Sequence, residues 1–153
     1  MENPIAIVRV TAFLRYLELE KNSSLLTIQN YETDIRLFIA FLLNRVGTVT
    51  WENVTVLDIR AYLALMNNEK YARRTIARRI SSLRSFYRFL MRENFAKSNP
   101  FMKIKTPKLD KKLPVFLEEV EINELLELPA KDELGLRDQA LFELLYATGC
   151  RVS

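Results

Sequence analysis

The sequence predicts an all-α protein, and three observations carry that expectation. Among its 153 residues are only three glycines and five prolines, against many Leu, Ile, Arg, Glu and Ala, which lose little on entering a helix. Apolar residues recur at spacings of three and four in one run after another. The β-branched residues are scattered and never form an alternating stretch bounded by turns.

Ile5, Val8, Ala12 and Leu19, interleaved with Phe13, Leu14 and Leu17, predict a first helix from about Pro4 to Glu20, ended by the polar turn Lys21-Asn22-Ser23. Ser24 is placed to cap a long second helix reaching about Asn44, with Ile28, Tyr31, Ile35, Phe38, Ile39 and Leu42 on one face. Thr55 with Asp58 resembles a capping box, Asp being a shorter version of the usual Glu, and opens a third helix through Ile59, Tyr62, Leu63 and Met66. Trp51 is expected to pack beneath the loop before it. A fourth helix spans about Arg73 to Arg92, with Ile76, Ile80, Leu83, Phe86, Tyr87 and Leu90 on one side, and the turn Lys97-Ser98-Asn99-Pro100 follows. Four such helices make a bundle of ordinary domain size.

From Lys103 to Pro114 the charges thicken, two prolines interrupt any helix and hydrophobic periodicity vanishes, as in a linker. Beyond it, Leu117 to Leu128 reads as a short helix and Leu136 to Thr148 as a longer one, with Gly149 at a left-handed C-terminal cap and Arg151 just after it. The apolar faces of these two helices need more partners than the remaining residues supply. The expected division is a helical bundle over residues 1–104, a basic linker over 105–114, and the opening of a second, incomplete domain over 115–153.

The longest apolar stretches fall far short of the roughly 20 residues of a spanning helix, and the N-terminus lacks a signal pattern, so a cytoplasmic protein without a membrane partner is expected. One cysteine, Cys150, rules out an internal disulfide framework and a thiolate metal cluster. Histidine is absent, which excludes zinc-peptidase motifs, Ser-His-Asp triads and histidine general bases from these residues. A net charge of +4 points only weakly to nucleic acid, but its distribution is informative. Basic residues crowd between Lys70 and Lys112, and acidic ones between Glu118 and Glu143.

At about 100° per residue, Arg74, Arg78, Ser81, Ser85, Arg88 and Arg92 fall in a narrow arc of the fourth helix, opposite its apolar stripe. Arginines give bidentate bonds to phosphate or guanine, and short serines let a helix approach a groove. A solvated helix face has the same pattern; the lack of acids along the arc favours DNA. Arg79 lies near the apolar side, as a snorkelling or ion-paired structural arginine does. Thr27, Asn30 and Asp34, beside Tyr31 at one edge of the second helix, can reach a sugar-phosphate backbone, or simply form a helix surface. Tyr31, Tyr62 and Tyr87 occupy apolar stripes, which suits core packing with a bonded hydroxyl better than nucleophilic chemistry. The lysines at 103, 105, 108, 111 and 112 fit either a clamp along a phosphate backbone or a polar tether. From spacing alone Arg151 reads as a surface arginine.

Several motifs together resemble Xer-type tyrosine recombinases of the phage-integrase family. They are S..T...Y..D over Ser24, Thr27, Tyr31 and Asp34; T..RRISSLRSFYRFL from Thr75 to Leu90; Asn99-Pro100; and Pro107-Lys108. LP.FL...E...LL from Leu113 to Leu126 and LRDQALFELLYATGCRVS complete the likeness, with Cys150 where Leu is commoner. The resemblance implies a SAM-like four-helix core-binding domain, a linker and the first helices of a truncated catalytic domain. With the arc, the edge of the second helix and the linker lysines, this makes Thr27, Tyr31, Arg74, Arg78, Ser81, Ser85, Arg88, Lys105 and Lys108 the candidate DNA-binding residues. Arg151 corresponds to the first catalytic arginine, whose planar fork stabilises charge on the nonbridging oxygens of the scissile phosphate. Such enzymes clamp duplex DNA as oligomers of like or unlike protomers and exchange strands through a 3′-phosphotyrosyl bond, with no metal or nucleotide cofactor. The β-hairpin lysine, His-x-x-Arg pair and nucleophilic tyrosine of the family lie downstream of the matching arginine and have no counterpart here, so these residues alone are not expected to cleave DNA. The rival readings are a stand-alone DNA-binding remnant or accessory protein, and a helical protein-interaction module with an arginine-rich face.

Overall fold

The computed structural model describes residues 4–108 and 116–151, all of whose regular elements are helical. They fall into two compact units, divided just after Asp110. The first contains α1 (Pro4–Leu19), α2 (Leu25–Val46), α3 (Val56–Asn68) and α4 (Arg73–Arg92), with short 3-10 turns at Trp51–Asn53 and Pro100–Lys103. The second contains α5 (Glu119–Glu127) and α6 (Glu133–Thr148).

The two ends of α2 and the start of α3 have local causes. The Ser24 hydroxyl accepts from the Thr27 amide and caps α2, which runs two residues beyond the expected end because the stop is Gly47. At φ +78° that glycine takes the left-handed conformation a side chain resists, and its N–H closes on the Leu43 carbonyl. The capping box at Thr55 and Asp58 is complete, each side chain accepting from the other's backbone N–H. The Thr55 hydroxyl and amide, joined by Arg45, hold the Asp58 carboxyl below its ordinary value. A carboxyl depressed on folding stabilises the native state above its unfolded pKa, and that contribution fades as the pH falls through the folded value. Asp58→Asn is therefore expected to cost about 1 kcal/mol at neutral pH, and denaturant titrations should show the deficit shrinking towards acid.

Packing centres on α4, which lies against α2, α1 and the second 3-10 turn, while α3 packs on α2 and that same turn. Its apolar stripe is buried as expected, and Phe86 reaches Phe13 of α1 (ring centroids 5.2 Å) and Trp51 (4.9 Å). Tyr87 meets Phe101 at 5.4 Å, Phe101 meets Phe38 at 5.6 Å, and Phe38 meets Tyr62 at 5.0 Å. An aromatic run thus links all four helices. Burying rings this size supplies much of the drive for so small a bundle.

The structure selects one face of α1 from its apolar residues. Ala6, Val10, Phe13 and Leu17 form its buried stripe, whereas Val8 and Leu19 are 59% and 79% exposed. Apolar residues occur nearly all round this helix, so spacing alone does not select a face; the docking of Phe13 against Phe86 does. The turn after α4 also carries more structure than a polar loop. Asn99 is buried, donates to the Arg84 carbonyl and accepts from the Phe101 amide, which starts the Pro100–Lys103 turn. Lys103 therefore stands in a 3-10 turn rather than a tether, and Ile104 is still part of the core. Of the expected linker, residues 105–108 are described; 109–114, with Lys111 and Lys112, lie outside the described residues, as does Leu113-Pro114 of the family motif.

In the second unit α5 is shorter than Leu117–Leu128, and α6 begins earlier than Leu136 because Asp132 caps it, accepting from the Gly135 amide at 2.7 Å. Gly135 is required by close approach, since a Cβ there would run into the Ala130 carbonyl. Ile122, Leu125 and Leu126 line an apolar cleft with Phe142, Leu145 and Tyr146. Among the described residues of this unit only Gly135 is buried. An apolar face left this open needs covering.

Candidate nucleic-acid interface

Because α4 buries one face completely, its opposite arc is delivered to solvent. Arg74, Ser81 and Arg88 are exposed there, Ser85 is partly so, and neither Arg74 nor Arg88 has an ion-pair or hydrogen-bond partner among the described residues. Two other arginines of the arc are balanced by acids that lie outside the arc, which corrects the expectation of an unbalanced ridge. Arg92 pairs with Glu20, just past the end of α1, at 3.0 Å and with Glu93 at 2.9 Å, and lies 4.2 Å over the Tyr16 ring. Arg78 donates from Nη1 to Asp34 Oδ2 at 2.7 Å. Glu20 and Asp34 lie outside α4 and are invisible to a reading of that helix alone.

Asp34 itself is fully buried, so it does not reach out to a sugar-phosphate backbone as its place at the edge of α2 suggested. It takes a second hydrogen bond from the Ser82 hydroxyl at 2.9 Å, and Arg79 Nε lies 3.6 Å from its other oxygen. Burial pushes the Asp34 carboxyl up, and the Ser82 hydrogen bond with the two guanidiniums offsets this only in part. Arg79 is buried, ion-paired and 4.2 Å over the Tyr71 ring, in keeping with its structural reading.

Asn30, one turn before Asp34, offers its carbonyl to Arg78 at 3.4 Å while its own amide donates to Leu26. Thr27 is half-buried, its hydroxyl 2.9 Å from that of Ser24. Tyr31 is half-buried and stacked on Phe13 at 6.3 Å. Of the three tyrosines with expected core roles, Tyr87 has the bonded hydroxyl, donating to the Trp51 carbonyl at 3.0 Å, and burial pushes its pKa far up. The Tyr62 hydroxyl is buried without a hydrogen-bond partner among the described residues.

Arg84 is the residue that sequence reasoning missed. From the flank of the same arc it donates to the Ile104 carbonyl at 2.9 Å, to the Phe101 carbonyl at 3.4 Å and to the Thr106 hydroxyl at 3.5 Å. Residues 101–106 are thereby stitched to α4 near Ser81 and Arg88, which lie one turn from Arg84 on either side. Exposed Lys105 and Lys108 leave from this stitch. The signal available beforehand was its phase, between the polar arc and the core.

In the second unit, Gly149 caps α6 at φ 62°, its N–H bonding the Leu145 carbonyl. The Thr148 hydroxyl donates to Leu144 at 2.6 Å and accepts from the Cys150 amide at 3.3 Å, so the backbone leading to Arg151 is pinned. The Arg151 guanidinium is exposed and has no partner among the described residues. No helix among the described residues is long and apolar enough to cross a membrane.

Comparison with known proteins agrees with this helical arrangement. Tyrosine recombinase XerC of Bacillus licheniformis is 47% identical over 145 residues, covering 94% of this chain and 47% of that protein. Tyrosine recombinase XerC of Bacillus subtilis strain 168 is 45% identical over 154 residues, or 100% and 50% of the two chains. Tyrosine recombinase XerD of Oceanobacillus iheyensis is 38% identical over 141 residues, or 92% and 48%. The chain spans about half the length of the curated relatives it matches. Residues 10–94, from α1 to just past α4, match the family described as phage integrase, N-terminal SAM-like domain, and the chain belongs to that family.

Proposed function

We propose that this chain is the DNA-clasping part of a site-specific tyrosine recombinase, acting in the cytoplasm on a duplex recombination site. The observation that carries the reading is the open arc of α4, where unpaired Arg74 and Arg88 flank Ser81 and Ser85, and Arg84 on its flank holds the Ile104 carbonyl next to exposed Lys105. Thr27 and Tyr31 of α2, together with Arg78 and Lys108, extend the proposed contact surface. Most contacts of such a face go to phosphates, which set position and register rather than sequence. Resemblance to tyrosine recombinases supports the DNA assignment and the division into bundle, linker and catalytic opening at residues 1–104, 105–114 and 115–153. In the whole protein, Arg151 would grip the nonbridging oxygens of the scissile phosphate while a tyrosine supplied by the rest of the enzyme attacks phosphorus and forms the 3′-phosphotyrosyl bond. The 5′-hydroxyl leaves, and its return attack on a partner strand completes exchange between protomers of the assembly.

Replacing Arg74 and Arg88 together by Ala tests the reading. Fluorescence anisotropy with a labelled duplex should show weaker binding and a log K against log salt slope smaller by about 2, one unit per lost phosphate contact. An unchanged affinity and slope would favour the protein-interaction reading.

A further inference from the structure

Asp34 is wholly shielded from solvent, yet two arginines of α4 converge on it. A buried carboxylate needs an opposite charge and hydrogen bonds to its oxygens. Arg79, with 8% of its side chain exposed and stacked on Tyr71, already supplies a guanidinium at 3.6 Å. Arg78 makes the hydrogen bond to the carboxylate, and the cluster of one acid and two bases keeps a net positive charge.

The second guanidinium differs from the first in how it is held. Both hydrogen bonds of Arg78 run through Nη1, to Asp34 Oδ2 at 2.7 Å and to the Asn30 carbonyl at 3.4 Å, while 38% of its side chain remains exposed. Its Nε and Nη2 have no partner among the described residues. A guanidinium carries five N–H groups in a rigid plane, so holding Nη1 from two sides orients the Nε–Nη2 edge without consuming it. That edge is the one that takes two oxygens of a phosphate side by side. Ser82, donating to the same Oδ2 at 2.9 Å, fixes the carboxylate that does the holding.

We propose that Asp34, with the Asn30 carbonyl, is a positioning residue that holds Arg78 by Nη1 and presents its Nε–Nη2 edge, already oriented, to one backbone phosphate of duplex DNA. The inference rests on the DNA-binding reading and adds to it an acid that strengthens binding to a polyanion. An arginine free to swing loses rotamer freedom on binding, whereas one restrained beforehand loses less.

The test uses the whole chain and a fluorescein-labelled duplex of mixed sequence, since a phosphate contact needs no cognate site. Arg78→Lys keeps the charge but cannot offer a planar edge while bound to Asp34. It is expected to bind as poorly as Arg78→Ala, weaker than the unaltered chain by roughly five- to tenfold at about 0.1 M salt. Asp34→Asn removes a negative charge, which by itself tightens binding to DNA; the positioning role requires weaker binding instead. In a double-mutant cycle that loss disappears once Arg78 is Ala. Trp51 fluorescence reports whether Asp34→Asn folds, and Arg78→Lys, at a half-exposed site, decides the matter if it does not. The proposal is overturned if Arg78→Lys binds like the unaltered chain, or if a folded Asp34→Asn binds as tightly or more tightly. Arg74→Ala with Arg88→Ala separates the two levels. If that pair weakens binding while Arg78→Lys does not, only the positioning role falls; if neither does, the DNA reading falls with it.

Discussion

Phe86→Ala is expected to destabilise the first unit by about 3–5 kcal/mol, the usual cost of deleting a buried ring whose neighbours cannot collapse into the space. Phe86 is fully buried and its ring is shared among α1 through Phe13 at 5.2 Å, the first 3-10 turn through Trp51 at 4.9 Å, and Tyr87 on its own helix at 6.2 Å. Collapse is hindered on each side. The Tyr87 hydroxyl is tied to the Trp51 carbonyl, and Trp51 is fixed in a helical turn just before the Thr55 cap. In a bundle of this size such a loss lowers the melting midpoint by about 15 °C or more. The chain's single tryptophan lies in this unit beside the cavity, so its fluorescence follows the first unit without a contribution from the second. A drop of only a few degrees would mean that α1 and α4 close over the gap. The same variant bears on function, because the outer arc of α4 keeps its arginines only while the inner face anchors the helix.

What could be read beforehand was whatever one helix or turn decides for itself. The limits of α4, the Ser24 and Thr55 caps and the Gly149 stop each depend on residues within four positions of one another, and each matches the structure. The missed features depend on a second element. Asp34 shares the apolar arc of α2 with Tyr31 and Phe38, and an acid on such an arc signals a buried partner; the identity of that partner, 44 residues away on α4, is a property of packing. The buried face of α1 was not legible for a related reason, since a helix apolar nearly all round takes its orientation from what it meets. On the candidate interface, local phase placed Arg74, Ser81 and Arg88 on the open side but could not show that Glu20, after α1, draws Arg92 into a structural pair.

Arg84→Ala is expected to cost about 2 kcal/mol and to loosen residues 101–106 from α4, because hydrogen bonds from a charged donor to partly buried carbonyls are among the stronger ones. The Ile104 carbonyl loses the donor at 2.9 Å, whereas the Phe101 carbonyl keeps the Ile104 amide at 3.2 Å, so the turn itself persists. Asn99 still holds the Arg84 backbone carbonyl, which confines the damage to the residues after the turn. Trypsin reads that damage directly. Lys103 and Lys105 bracket Ile104, and limited digestion should cut there faster in the variant while α4 stays intact. Arg84→Lys separates anchoring from charge. A lysine keeps the positive charge but cannot span two carbonyls and a hydroxyl in one plane. If the stitch serves DNA binding by holding Lys105 beside Ser81, Ser85 and Arg88, this variant loses affinity for duplex DNA at constant net charge. If affinity is kept while cleavage at Lys103 or Lys105 accelerates, the stitch belongs to the stability of the fold alone, and the lysines act from a tether.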